Sequence, residues 1–227
     1  MKRAYWVMCF LFAAFSLGWA DVDKTTLEKR IIRSCESLDN VMGGKGGPIP
    51  SSIMDKAQGI IILREYGAGF WFGGKGGLGL AMERSRNGQW GPPAFLKIGE
   101  GSFGLQIGVQ RLDLVFLFMN RESLRVFEKP KFRLGVDAAA AAGPLGANAE
   151  AKAGAPILVY TDTQGLYAGA SFEGAILLPD PDANEAFYGK GITLPQILAG
   201  QGVRSPGVAQ SLKERLDNIS GRGGGMY

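Results

Sequence analysis

The sequence has no histidine. That absence excludes Ser-His-Asp and Cys-His arrangements, histidine-ligated metal sites and the usual proton shuttle at neutral pH. Cysteine is scarce as well: Cys9 lies within an N-terminal apolar run, and Cys35 is the other. Loss of that run would leave no intramolecular disulfide, so stability has to come from packing, with Cys35 reading as a small apolar residue on a helix face. Charge of either sign is limited and balanced, 25 basic residues against 21 acidic ones for a net +4. This is no nucleic-acid footprint. What the chain does have is glycine, 35 residues in 227, scattered among apolar segments without a G-X-Y period. A collagen-like chain is thereby excluded, and 46% hydrophobic content fits one compact domain with extensions.

The first twenty residues, MKRAYWVMCFLFAAFSLGWA, combine basic Lys2 and Arg3, an uncharged apolar run, and small residues Gly18 and Ala20 before Asp21. This is the three-part pattern of a secretory signal peptide over residues 1–20. An uncleaved anchor is the competing reading, since the run is nearly long enough to span a bilayer. Cleavage after Ala20 removes two basic residues and no acidic one, leaving 23 minus 21, or +2. A single domain is expected over residues 21–220 and a disordered tail over 221–227, GRGGGMY.

Residues Asp23 to Met42 carry Leu27, Ile31, Cys35 and Leu38 at steps of four and three, the spacing of an amphipathic helix. Thr25 and Glu28 have capping-box spacing at its start. Lys24, Lys29, Arg30 and Arg33 fall mostly off the apolar stripe. Such a helix either covers a sheet and turns a solvated basic face outward, or lies on an anionic membrane surface. GGKGGP ends it, a short helix follows from Pro50 to Ala57, and Ile60 to Leu63 reads as a strand buried on both faces.

From there the period is two. Leu78, Leu80 and Met82 alternate with Gly77, Gly79 and Ala81 before an Asn87-Gly88 turn, and Phe103 to Val109 alternates similarly. Further strands are expected at Leu112 to Met119, Phe132 to Asp137, around Asn148 to Lys152, at Pro156 to Thr161 and at Leu166 to Leu178. A short helix is expected from Arg121 to Glu128, and helices near Leu194 to Leu198 and from Val208 to Ile219 close the chain. Helix, many strands, then helices without β-α-β alternation predicts an α+β fold with a strongly curved, largely antiparallel sheet or partial barrel.

Two glycine motifs invite a nucleotide reading. Gly74 to Gly79 spells GxGxxG, but it leads into period-two sequence and not into a helix, so pyrophosphate would meet no helix N-terminus. Gly99 to Gly104 spells GxGxFG, the pattern of a kinase glycine loop, yet no HRD or DFG accompanies it. Alternate glycines instead strip one sheet face of side chains, which permits curvature or close approach by a helix or backbone.

The segments IPSSIMDKAQGIIIL, GAGFWFGGKGGLGLAMER, GEGSFGLQIGVQRLDLVFLFMNRESLRVFE, AAGPLGANAEA, APILVYTDTQGLYAGASFEGAILL and DANEAFYG occur in this order. Together they closely resemble the SYLF domain family, also called the Ysc84 actin-binding domain family, over about residues 25 to 217. The resemblance, to an exported bacterial-type member, implies non-enzymatic lipid binding. Eukaryotic members bind phosphoinositides and remodel membranes with help from an amphipathic N-terminal helix, and some bind actin. An exported chain would meet neither actin nor abundant phosphoinositides, so actin is not expected here. Anionic phospholipid head groups are the transferable chemistry, and Lys75 is carried over as a candidate from the second glycine segment.

Basic residues near an anionic surface contribute about 1 kcal/mol each, so several must act together. The candidates are Lys24, Lys29, Arg30 and Arg33 on the helix, and Lys75, Arg84 and Arg86 on loops, with Trp71 entering the interface if exposed. A periplasmic or secreted lipid-binding module is the first expectation. An envelope protein that self-associates through its sheet or N-terminal helix is the alternative. Carboxylates such as Asp113, Glu150 and Glu173 are the places where an enzyme would have to work, and isolated acids in alternating strands read as surface or paired groups. No cofactor is expected.

Overall fold

The computed structural model describes residues 23–222 except 46, 71, 103–107, 134–135, 138, 145–153 and 163–175; side chains within 67–75 and 100–110 also lie outside the description. The segment expected to be a signal peptide, Trp71, and the strand expected around Asn148 to Lys152 therefore lie outside the described residues. So do most of those expected at Phe103 to Val109 and Leu166 to Leu178.

The elements in chain order are α1 (Lys24–Gly43), α2 (Ser51–Lys56), β1 (Gly59–Phe70), β2 (Phe72–Glu83), β3 (Ala94–Ser102) and β4 (Gly108–Phe118). A 3-10 segment at Ser123–Glu128 precedes β5 (Phe132–Arg133), β6 (Ala140–Ala142), β7 (Ile157–Thr161) and β8 (Ile176–Pro179). The chain then forms α3 (Pro181–Tyr188), α4 (Leu194–Leu198) and α5 (Gln210–Ile219). The strands form one eight-stranded sheet in the order β5-β8-β3-β2-β1-β4-β7-β6, antiparallel except for the β6–β7 pair. This is the α+β fold with a curled, half-barrel sheet that the alternating segments predict.

Each face of the sheet carries a packed core. Ile60 and Ile62 of β1, Leu80 and Met82 of β2, Phe95 of β3, and Val115 and Leu117 of β4 form one core with Leu27, Ile31, Leu38 and Val41 of α1 and Leu212 and Leu216 of α5. Ile61, Leu63, Ala81, Leu96, Leu114 and Phe116 point the other way, onto Leu124 and Phe127 of the 3-10 segment and Leu194, Ile197 and Leu198 of α4. Ile60 to Leu63 are thus buried on both faces, as their unbroken apolar run implies.

The glycines of β2 admit the close approach of neighbouring backbone that their alternation permits: a Cβ at Gly77 would stand 2.6 Å from the Arg64 carbonyl oxygen. The small face of β2 is not left open, because the Leu63 and Ile98 side chains fill it. A Cβ at Gly79 would stand 2.1 Å from the Ile62 carbonyl oxygen and 2.5 Å from Leu63 Cδ2. The helix that fills the opposite face lies over the large residues.

Other boundaries also moved. Asp23, not Thr25, caps α1, its carboxylate accepting from the Thr25 N–H at 3.1 Å. The helix α3 and the strand β3 had not been read from the sequence. At the C-terminus, Arg222 donates to Asp55 and to the Gly88 carbonyl, so the chain stays docked through residue 222.

Gly79→Ala is expected to destabilise by about 1–3 kcal/mol, the cost of overpacking. Gly99→Ala, whose Cβ would meet nothing within 4 Å, should stay within about 0.5 kcal/mol of the parent in urea denaturation.

Candidate functional site

The helix α1 packs across β4, β1 and β2, reaches β3 through Arg30, and is held toward both ends by buried polar contacts. Near its start, Arg30 is buried and donates to Asp180 at 2.7 Å and to the Leu96 carbonyl, with its guanidinium 5.1 Å from the Phe95 ring centroid. Asp180 also caps α3 and receives Lys97 Nζ at 2.8 Å. Beside it, Asn184 accepts from the Phe95 N–H at 2.8 Å and donates to the Phe95 carbonyl at 3.1 Å, closing the α3–β3 seam.

Toward the other end of α1, Asp113 of β4 is fully buried and saturated with donors. Ser37 Oγ, Asn40 Nδ2 and Arg64 Nε each approach its carboxylate at 2.7 Å. Arg64 also reaches Glu36 at 3.3 Å, and Arg111 Nε lies 3.8 Å from Asp113. Burial alone would raise the Asp113 pKa, but the hydrogen bonds from Arg64, Ser37 and Asn40 outweigh it and hold the carboxyl below its ordinary value. Asp180 is shifted the same way, burial being outweighed by Lys97 and Arg30.

These anchors sort the candidate cations. Lys24, Lys29 and Arg33 are exposed on α1, and Lys24 Nζ sits 5.4 Å over the Phe187 ring. Arg30 leaves the surface set, because it is spent on Asp180 and β3. Arg84 leaves it too: its guanidinium is buried 4.3 Å over the Trp90 ring and donates to the carbonyls of Gly88 at 3.1 Å and Met54 at 3.3 Å. Arg86 is exposed in the turn that contains Gly88, whose φ is +84°.

Lys75 is not in a loop but inside β2, in register with Gly67 and Glu100. From Lys75 to the end of β2 at Glu83 is on the order of 26 Å at about 3.3 Å per residue. The glycine-segment lysine and the arginines after β2 therefore do not converge. Of the possible catalytic acids, Asp113 is structural, while Glu150 and Glu173 lie outside the described residues. Among the described residues no group of three acidic or cysteine side chains could hold a metal ion. No helix among them is long and apolar enough to cross a membrane.

Sequence reasoning missed Arg64, Lys97 and Arg111. Each lies on the α1 side of its strand, in register with Leu78 or its neighbours. Their period-two phase with Ile62, Phe95 and Val115 was the available signal.

Comparison with known proteins gives a consistent result. Residues 99–219 match the family model Ysc84, described as "Las17-binding protein actin regulator". Protein YSC84 of Saccharomyces cerevisiae is 33% identical over 86% of this chain and 43% of its own length. LAS seventeen-binding protein 3 of the same yeast is 31% identical over 79% of this chain and 40% of its own. The human SH3 domain-containing YSC84-like protein 1 is 33% identical over 78% and 54%. The chain thus spans about half the length of these relatives.

Lowering the pH should unfold the protein through its two anchors. A depressed folded-state pKa adds stability that is present above the unfolded value of about 4 and is lost as pH falls through the folded one. Asp113→Asn should cost about 3–5 kcal/mol at neutral pH by breaking a buried pair. It should also flatten the stability loss below about pH 4, as read by urea denaturation across pH.

Proposed function

We propose, from the premise that this chain belongs to the Ysc84 family, that it is a non-catalytic binding module that docks on an anionic phospholipid surface. The contact is the outer ridge of α1. The observation that carries this reading is the division of that helix: Leu27, Ile31, Leu38 and Val41 are buried in the core, while Lys24, Lys29 and Arg33 face outward. The helix therefore adsorbs by charge and does not insert its apolar stripe. At about 1 kcal/mol for each basic side chain near an anionic surface, three supply a weak, salt-sensitive attachment. With its signal peptide removed, the chain would present this surface in the periplasm or outside the cell.

A protein partner is the second reading. The matching family is described by Las17 binding and actin regulation, and one yeast relative is named for Las17 binding. The expectation against actin rests on the signal peptide, which lies outside the described residues. An exposed ridge that mixes Lys29 and Arg33 with Glu36 also suits a protein surface or a second copy of the chain.

Co-sedimentation with vesicles decides between them. Binding to anionic vesicles and not to neutral ones is expected, with Lys29→Glu/Arg33→Glu weakening it by roughly 30-fold or more for about 2 kcal/mol lost. Equal failure to bind either vesicle would overturn the lipid reading. Both side chains are exposed, so the double variant should unfold at the same urea concentration as the parent.

A further inference from the structure

We infer that the end of the sheet left bare beside α1, centred on Leu78 and Tyr66, is the apolar half of the docking surface and enters the head-group region of an anionic membrane. The inference rests on the lipid reading above and adds apolar residues on the sheet to the one large apolar side chain that α1 leaves half-exposed, Ile32.

Leu78 is 50% exposed and Tyr66 52%, although both lie in the two central strands of the sheet. Leu78 is opposite Arg64, and Tyr66 opposite Gly76, so all four share one face. It is the α1 face, since Ile60, Ile62, Leu80 and Met82 in the same phase pack beneath the helix. The helix stops short of this end. Arg30 ties α1 to β3 through the Leu96 carbonyl, and Glu36 ties it to β1 through Arg64. Lys29 and Arg33 follow Glu36 back along one helix ridge at steps of three and four. They therefore border the row in which Leu78 stands between Lys97 and Arg64.

The next row is Gly99, Gly76, Tyr66 and Arg111. A Cβ at Gly99 would meet nothing within 4 Å, and one at Gly76 only the Ile98 carbonyl oxygen at 3.7 Å. Packing thus does not require glycine at these two places, unlike Gly79, and the floor beside Tyr66 is open backbone.

Charge identifies the occupant. Six cations, Lys29, Arg30, Arg33, Arg64, Lys97 and Arg111, surround this end, against the four carboxylates Glu36, Asp113, Asp162 and Asp180, leaving an excess of +2. Lys97 and Arg111 keep 43% and 51% of their side chains exposed while paired. A half-exposed leucine and tyrosine within a cationic rim match the boundary between acyl chains and anionic head groups, where a tyrosine ring places its apolar body inward and its hydroxyl in water.

The test places a polarity-sensitive dye on the full chain at Leu78→Cys and, as a control, at Gln201→Cys, an exposed position just beyond α4, which packs on the opposite face. Phosphatidylglycerol vesicles should shift the emission of the dye at 78 to the blue and leave that at 201 unchanged. Leu78→Ser/Tyr66→Ser should lower vesicle affinity roughly tenfold without changing the urea midpoint by much. Wild-type affinity in this variant, with no shift at 78, overturns the inference and leaves electrostatic docking by α1 standing. Absence of binding by the parent overturns the lipid reading itself. A shift at 78 that needs no vesicles and grows with protein concentration assigns the face to a second copy of the chain and also overturns the inference.

Discussion

The placement of α1 on the sheet is the constraint on which the rest of the molecule depends. An eight-stranded sheet with Ile60, Ile62, Leu80, Val115 and Leu117 on one side must be covered there, and α1 supplies the apolar stripe that does so. The stripe alone would allow the helix to slide. Arg30 on Asp180 and the Leu96 carbonyl, and Ser37 and Asn40 on Asp113, fix its position by contacts that span from 66 to 150 residues of sequence. Breaking either anchor leaves a buried charge without its partner, an error costing about 3–5 kcal/mol. Register between helix and sheet is therefore specified by polar groups, while apolar area supplies the driving force.

That placement limits how the protein can meet a membrane. Exposing the four large stripe residues would forfeit about 1.5–3 kcal/mol for each side chain. Their sum approaches the whole stability of an ordinary domain, about 5–15 kcal/mol. An intact fold thus cannot lend its helix to a bilayer in the manner of a free amphipathic peptide. What remains is an outer ridge and the sheet beside it, where cations outnumber carboxylates. The amphipathic pattern is real; its apolar stripe answers a folding requirement, and apart from half-exposed Ile32 what faces outward is polar.

This division explains what was legible in the sequence. Periodicity located α1, β1, β2, β4, β7 and α5 because each carries a long one-sided or continuous apolar pattern. The helix α3 was overlooked, although Asp180-Pro181 is a sound start signal: the aspartate caps and the proline sits in the first turn. The strand β3 was hidden because its second half, Gly99 to Ser102, reads as part of a glycine motif, while its first half, Ala94 to Ile98 after two prolines, is a short apolar run broken by Lys97. Arg30 and Arg84 could not be separated from Lys29 and Arg86 by composition. Arg30 lies one position from Lys29 on the helix, and only the distant Asp180 turns it inward. The bare face at Leu78 and Tyr66 was likewise unreadable, since period two fixes which face a residue occupies but not how far a helix extends over it.

The same polar groups bear on catalysis. Asp113 is the one acid among the enzyme candidates that falls within the described residues, and it would need a free lone pair and a pKa near the working pH to act as a general base. It has neither. Donors from three side chains occupy its carboxylate at 2.7 Å, and together they lower its pKa despite complete burial. Asp180 is committed in the same way to Arg30, Lys97 and the start of α3. A carboxylate made a weaker base by the contacts that hold a helix in place is suited to fixing geometry. What these two acids accomplish is to keep Arg64, Lys97 and Arg111 at the surface in fixed positions, with part of each Lys97 and Arg111 side chain still open to solvent. Cations held on a rigid sheet lose less side-chain freedom on meeting an anionic partner than cations on mobile loops. On the proposed lipid reading, the buried acids would serve binding indirectly, by ordering in advance the cations that make the contact.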